Sequence, residues 1–186
     1  MFAILSCKSG MGMPSPFRSF GLCFLRNVAV IAVCVSSVFP AFADDFSGRA
    51  TVVDGDTIHV DGVPKNVRLF GMDAPESGQT CIDGRGKRYL CGLRAAEELA
   101  SIIGRNGRMS CRQIDRDRWG RPVAVCRLGG VDLSAEMIRR GWAVDFVRYS
   151  RGRYEAQQHA AQKAGAGLWA GDFDVPWEWR ARRRER

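Results

Sequence analysis

The chain has 186 residues, 46% of them hydrophobic and 26% charged, with a formal net charge of +8. That length fits one domain and gives no ground for a multidomain assembly. Three basic residues fall in the first 43 positions and five Arg in the last seven, so the body between them is left at about +1, and the high net charge says little about a broad basic face for polyanions.

Residues 1–43 contain no Asp or Glu. Lys8, Arg18 and Arg26 precede an apolar run from Val28 to Val38 and the small-x-small sequence Ala41-Phe42-Ala43. This order reads as a secretory signal cut after Ala43, with Met11 or Met13 as alternative starts. The apolar run is short for a bilayer span, although a retained anchor is the competing reading. Val33 before Cys34 is bulky for a lipid-modified cysteine. The expected product starts at Asp44, is periplasmic or secreted, has no stable membrane association after cleavage, and is a monomer. Its 143 residues are enough to bury a core.

Cys81, Cys91, Cys111 and Cys126 remain in that product. An even count in an exported domain suggests two disulfides, and four cysteines allow three pairings. Cys81–Cys91, closing a loop, and Cys111–Cys126, across a hairpin, are favoured; a closed loop of about fifteen residues stabilises by roughly 3 kcal/mol. There is no Cys-x-x-Cys, and His59 and His159 lie far apart in sequence, which argues against a structural zinc or a thiol redox site.

From Gly48 to Val60 the pattern is strand, turn, strand, with Asp54-Gly55 as a tight turn in which glycine allows positive φ. Asp61-Gly62 turns into a strand over about Lys65–Phe70, where Val67 and Leu69 alternate with Arg68, so Arg68 faces the other way. Ser77–Tyr89 reads as a Gly-rich loop. A helix is expected over Gly92–Ile103, with Leu93, Ala96, Leu99/Ala100 and Ile103 as its apolar face and Gly104 as its stop. Strands follow at Arg108–Ile114 and Pro122–Arg127, around the loop Asp115–Arg121. Asp132 or Ser134 caps a short helix that ends at Gly141. An extended piece then reaches Tyr149, and a last helix covers Arg153–Ala164. The segment Leu168–Trp179 packs on the body, ahead of a basic tail at 180–186. That tail reads as a polyanion-binding or a solvated end. About five short strands with added helices fit an OB-type α+β barrel, though periodicity alone permits other small α+β folds.

Asp56, Asp73, Arg68, Glu76 and Arg121 make up the set that phosphodiester hydrolysis needs. Aspartates suit a hard cation, guanidinium forks match phosphate oxygens, and a carboxylate activates or orients water. Each piece alone is ordinary: Asp54-Gly55-Asp56 is more often just a turn, Arg68 a surface residue and Glu76 a loop cap. The Asp115-Arg116-Asp117 loop is not an EF-hand, because Trp119 and Cys126 would fall at ligand positions.

In combination, Val53-Asp54-Gly55-Asp56-Thr57, Arg68-Leu69-Phe70-Gly71-Met72-Asp73-Ala74-Pro75-Glu76 and Asp117-Arg118-Trp119-Gly120-Arg121 resemble the thermonuclease (staphylococcal nuclease-like) family. Gly141-Trp142-Ala143, Tyr149-Ser150 and Gly167-Leu168-Trp169 agree as well, so the resemblance runs from about Gly48 to Trp179. It implies an OB-fold five-stranded barrel with about three added helices, occupying 44–179. It also implies Ca²⁺-dependent cleavage of DNA and RNA at the bond to the 5′ oxygen, leaving 3′-phosphate ends. By the same resemblance Asp56, Asp73 and the Ala74 carbonyl hold the metal, Arg68 and Arg121 grip the phosphate, and Glu76 acts on the attacking water. The chain departs from the family pattern at Ala74, where Thr is usual, and at Trp119, where Tyr is common. The loop between Cys81 and Cys91 is an addition. Two other readings stay open: a catalytically silent OB-type nucleic-acid-binding module, which would usually have lost an Arg or Glu of the set, and an envelope structural or adhesive protein using the basic tail.

Overall fold

A computed structural model describes residues 45–185, so the export segment read over 1–43 lies outside the described residues. In chain order the elements begin with β1 (Asp45–Val52), β2 (Thr57–Val60), β3 (Val67–Leu69), β4 (Met72–Asp73), β5 (Thr80–Ile82) and β6 (Arg88–Leu90). Then come α1 (Cys91–Ile103), β7 (Arg108–Arg116), β8 (Pro122–Leu128), β9 (Val131–Asp132), α2 (Leu133–Arg139) and β10 (Val144–Asp145). The chain finishes with α3 (Val147–Ser150), α4 (Glu155–Ala164), a 3-10 turn at Gly167–Ala170, and α5 (Pro176–Arg184).

The main sheet has the order β3-β2-β1-β7-β8-β9 and closes on itself because β3 also pairs with β8 in parallel, Arg68 against Val123 and Leu69 against Ala124. Five strands thus form the OB-type barrel expected from the sequence, with α1, α2 and α4 as the added helices. β1 serves two neighbours: Asp45–Arg49 pair with β7, and Ala50–Val52 pair with β2. Ile58, Val60, Val67, Leu69 and Met109 point inward and meet Leu99 of α1 and Leu133, Met137 and Ile138 of α2. Each such side chain contributes about 1.5–3 kcal/mol by leaving water. Among the described residues no helix is long and apolar enough to cross a membrane.

Several local expectations are corrected. The stretch read as the loop Ser77–Tyr89 contains a β5–β6 hairpin, with Cys81 opposite Tyr89. α1 buries Cys91, Ala95, Leu99 and Ile103, an i, i+4 row, whereas Leu93 is 49% exposed. The Cys81–Cys91 disulfide at its first residue ties down that face and rotates the helix away from the stripe read through Leu93 and Ala96. After Trp142 the chain is not extended to Tyr149: β10 is two residues long and α3 follows. Residues read as a tail from Arg180 belong to α5, which begins with Pro176 in its first turn and carries Glu178 there, with Arg182, Arg183 and Arg184 at its end. That charge order complements the helix dipole. The second disulfide joins Cys111 and Cys126, which face each other across β7 and β8.

Candidate active site

The turn after β1 is closed by Val53 N–H and Asp54 N–H, both donating to the Thr57 carbonyl, and by Asp56 N–H donating to Asp54 Oδ1 at 3.0 Å. Asp54 is therefore turn chemistry. Gly55 does not have the positive φ expected of it. It is needed for close approach: a Cβ there would stand 2.7 Å from the Ala74 Cβ and 3.0 Å from that of Ala95. This contact seats the turn on α1 and on the strand end that carries Asp73 and Ala74, two of the candidate site residues.

Asp56 is buried and stitched to its surroundings. Its Oδ1 accepts from the Thr57 hydroxyl at 3.1 Å, its Oδ2 from Ala74 N–H at 3.2 Å, and its carbonyl from Leu69 N–H at 2.9 Å. Asp73, on β4 opposite Val144, is 0% exposed. Strand alternation turns Arg68 toward both: its Nη2 lies 2.8 Å from Asp56 Oδ2 and 2.7 Å from Asp73 Oδ1. Burial pushes the Asp56 carboxyl up to about 7, and Arg68 only partly pulls it back. Burial also disfavours charge on Arg68, but Asp56 and Asp73 more than offset this and hold its pKa above the ordinary value.

A third carboxylate and a second guanidinium complete the cluster. Arg180 of α5 grips Asp73 with both ends of its fork, Nη1 to Oδ1 at 3.0 Å and Nη2 to Oδ2 at 2.8 Å, and its Nη1 also donates to Glu76 Oε1 at 2.8 Å. Gln79, fully buried, accepts from Glu76 N–H through Oε1 at 3.3 Å and donates through Nε2 to the Asp174 carbonyl at 2.7 Å. Gly92, near the start of α1, lies so close that a Cβ there would collide with the Glu76 carbonyl oxygen. With every group ionised, three carboxylates face two guanidiniums.

Asp56, Arg68, Ala74 and Glu76 line one small cleft together with Asp54 and Pro75, about 20 Å³ in volume, which is room for one water or an ion of that size. The carboxylates of Asp54, Asp56 and Glu76 bring oxygens of the kind a hard divalent ion takes, and the Arg68 guanidinium faces the same space. The described residues contain no group of three or more His, Cys, Asp and Glu arranged to hold a metal. Asp73 does not line this cleft, and both its oxygens are held by Arg68 and Arg180, so an ion seated on Asp56 and Asp73 would share those oxygens with the guanidiniums and keep much of its water. A larger cavity, about 290 Å³, is lined from β1, β7 and β8, shares no residue with this cluster, and borders Asp45, the first described residue.

Arg121 stands apart from the acids. It immediately precedes β8, two positions before Val123, the parallel partner of Arg68. Its Nε donates to Asp117 Oδ2 at 2.6 Å, its N–H to Asp117 Oδ1 at 2.9 Å, and its guanidinium carbon lies 5.2 Å from the Trp119 ring centroid. Burial opposes ionisation of Asp117, but the hydrogen bonds from Arg121 and from Trp119 N–H hold the carboxyl below its ordinary value. Trp119 itself is 59% exposed and also stacks under Arg118, at 4.1 Å. The structure thus gathers Asp56, Arg68, Asp73, Ala74 and Glu76, and leaves Arg121 on a neighbouring hairpin held by its own loop.

Arg180 was not legible as part of the site, because it sits in an Arg-rich end that reads as solvated. Pro176 followed by an acidic first turn and a basic last turn is the helix signal that could have placed it.

A family model described as staphylococcal nuclease homologue matches residues 66–171. The chain is 37% identical over 172 residues to the succinoglycan biosynthesis protein ExoI of Rhizobium meliloti (strain 1021), covering 91% of this chain and 89% of that one. It is 33% identical over 175 residues to the micrococcal nuclease of Shigella flexneri, covering 86% and 93% respectively. With protein ParB of Escherichia coli the identity is 30% over 178 residues, covering 88% and 93%.

Proposed function

The chain belongs to the staphylococcal nuclease homologue family, and from that premise we propose that it is a Ca²⁺-dependent nuclease that hydrolyses phosphodiester bonds of DNA and RNA. The observation that carries this reading is the pairing of one guanidinium, Arg68, with two buried aspartates, Asp56 and Asp73, beside an ion-sized cleft that Asp56, Arg68 and Glu76 line. Asp56, Asp73 and the Ala74 carbonyl would hold the ion, which supplies charge to stabilise the phosphorane-like state. Arg68 and Arg121 offer forked donors to the phosphate oxygens. Glu76 acts on the attacking water: the water oxygen bonds to phosphorus, the bond from phosphorus to the 5′ oxygen breaks, that oxygen leaves with a proton, and the phosphate stays on the 3′ oxygen. Two disulfides among the described residues suit an oxidising compartment, which supports action in the periplasm or outside the cell.

The test is cleavage of labelled single-stranded DNA and RNA by the purified protein with millimolar Ca²⁺ and with EDTA. Cleavage with calcium and none with EDTA is expected. No cleavage of either by folded protein over hours would defeat the reading and leave the silent binding module in its place. Glu76→Ala and Arg121→Ala should each lower turnover by about two orders of magnitude or more.

A further inference from the structure

α5 lies beyond residues 66–171, the part the family model matches, yet it delivers a side chain into the acid cluster. We propose that Arg180 is a positioning residue of the active site: its fork locks Glu76 to Asp73, orienting Glu76 for turnover at the expense of divalent-ion affinity. The turnover half of this proposal rests on the nuclease reading, and the ion half on the cluster alone.

Glu76 needs such a partner. Its side chain is 39% exposed, whereas that of Asp73 is buried, and a carboxylate on a flexible stem has rotamer freedom that reaction geometry must remove. Arg180 takes Asp73 in a two-pronged grip and shares Nη1 with Glu76, so the position of Glu76 is referred to the most buried carboxylate of the site. Charge-assisted forks of this kind are the strong, directional hydrogen bonds.

The helix carrying Arg180 is anchored independently of that grip. Pro176 is buried, and Trp177 stacks on Phe146 with ring centroids 5.0 Å apart and 9° between planes. Asp172 and Ile82 exchange two backbone hydrogen bonds of 2.9 Å, Gln79 holds the Asp174 carbonyl, and Arg182 pairs with Asp174. Gln79 also holds Glu76 N–H, so the circuit Glu76–Gln79–Asp174–α5–Arg180–Glu76 closes. Ile82, which pairs with Asp172, lies within the loop that the Cys81–Cys91 disulfide closes. A solvated basic end would have none of these attachments.

The cost follows from charge. Removing Arg180 leaves three carboxylates facing one guanidinium, a stronger trap for a divalent ion, and also frees Glu76. Ion affinity and turnover must therefore move in opposite directions, which neither a structural strap nor a competitor that merely blocks the site would produce.

The experiment uses the full protein, with Arg180→Ala and Arg180→Lys. Calorimetry reads Ca²⁺ binding, and steady-state cleavage of a single-stranded oligodeoxynucleotide at saturating Ca²⁺ reads kcat and KM. R180A is expected to bind Ca²⁺ about tenfold or more tighter. Its kcat should fall roughly 10- to 100-fold, with KM within about threefold of wild type. R180K, which keeps the charge but not the fork, should bind Ca²⁺ about as the wild type does and show an intermediate kcat. If R180A does not fold, R180K alone decides: wild-type kcat in R180K overturns the proposal. A kcat in R180A equal to or above wild type, or Ca²⁺ binding that is unchanged, weaker or undetectable in both R180A and wild type, also overturns it. A wild-type protein that binds Ca²⁺ but cleaves nothing defeats the nuclease reading, while calorimetry on R180A still tests the ion half.

Discussion

Arg68→Ala removes the one guanidinium that Asp56 and Asp73 share. Asp56 Oδ2 loses a partner at 2.8 Å and Asp73 Oδ1 one at 2.7 Å. Breaking a buried ion pair by removing one side costs about 3–5 kcal/mol, because the charge left behind is uncompensated. Two features hold the cost near the lower end. Asp73 keeps both prongs of Arg180, and Asp56 keeps the Thr57 hydroxyl and Ala74 N–H and takes up a proton readily, burial having already pushed it up to about 7. We therefore expect a loss of about 3 kcal/mol in the ion-free protein, which for a domain of this size lowers Tm by about 9 °C. A divalent ion supplies part of the missing charge, so Ca²⁺ should raise the Tm of the variant by more than that of the wild type. Thermal unfolding followed by circular dichroism, with EDTA and with millimolar Ca²⁺, reads both effects. A Tm within about 2 °C of wild type in EDTA, or equal gains with Ca²⁺, would refute the claim that Arg68 neutralises this buried pair.

Three further outcomes follow from the same contacts. Gly92→Ala pushes a Cβ into the Glu76 carbonyl, so it should destabilise by about 1–3 kcal/mol in a denaturant titration and lower turnover through the displaced Glu76. Glu136 accepts hydrogen bonds from Arg139 and Arg140, and these bonds, that from Arg139 first, hold its carboxyl down to about 2. A lowered acid stabilises the fold fully above its unfolded value, near 4.5, and this contribution is lost as pH falls from there toward 2. Water around the half-exposed Arg139 leaves about 1 kcal/mol of it, so Glu136→Gln should lower stability by that amount at pH 7 and by almost nothing near pH 2 in denaturant titrations. Replacing Cys111 and Cys126 together by Ser opens a link between residues 15 apart in sequence and should cost about 3 kcal/mol in the same assay.

Much of the barrel was legible because short-range signals and long-range packing agree there. Val67 and Leu69 alternate with Arg68, and the structure buries the first two and turns the third into the cleft. Asp132 caps α2 as its position suggested, accepting from Ser134 N–H at 3.1 Å. The main failures lie where a tertiary contact, not the local pattern, decides the outcome. Gly55 looked like a positive-φ turn glycine, but it is fixed by Ala74 and Ala95. The face of α1 was misjudged because Leu93 and Ala96 fit a helical stripe as well as Ala95 and Leu99 do, and the disulfide and Gly92 chose between them. Arg180 is the extreme case, pairing with residues 104 and 107 positions earlier. Local composition gave its neighbourhood the signature of a solvated tail, and only the anchoring through Gln79, Asp174 and Trp177 turns it inward.

The most direct measurement is cleavage of a 5′-labelled single-stranded DNA by wild-type protein and by Glu76→Gln, side by side in millimolar Ca²⁺, with the ends of the products determined by phosphatase treatment. The account expects fragments whose mobility shifts on loss of a 3′-phosphate, and a fall of about two orders of magnitude or more in the rate of Glu76→Gln with Ca²⁺ binding retained. Fragments bearing 3′-hydroxyl ends, or a Glu76→Gln protein that cuts as fast as the wild type, would contradict it.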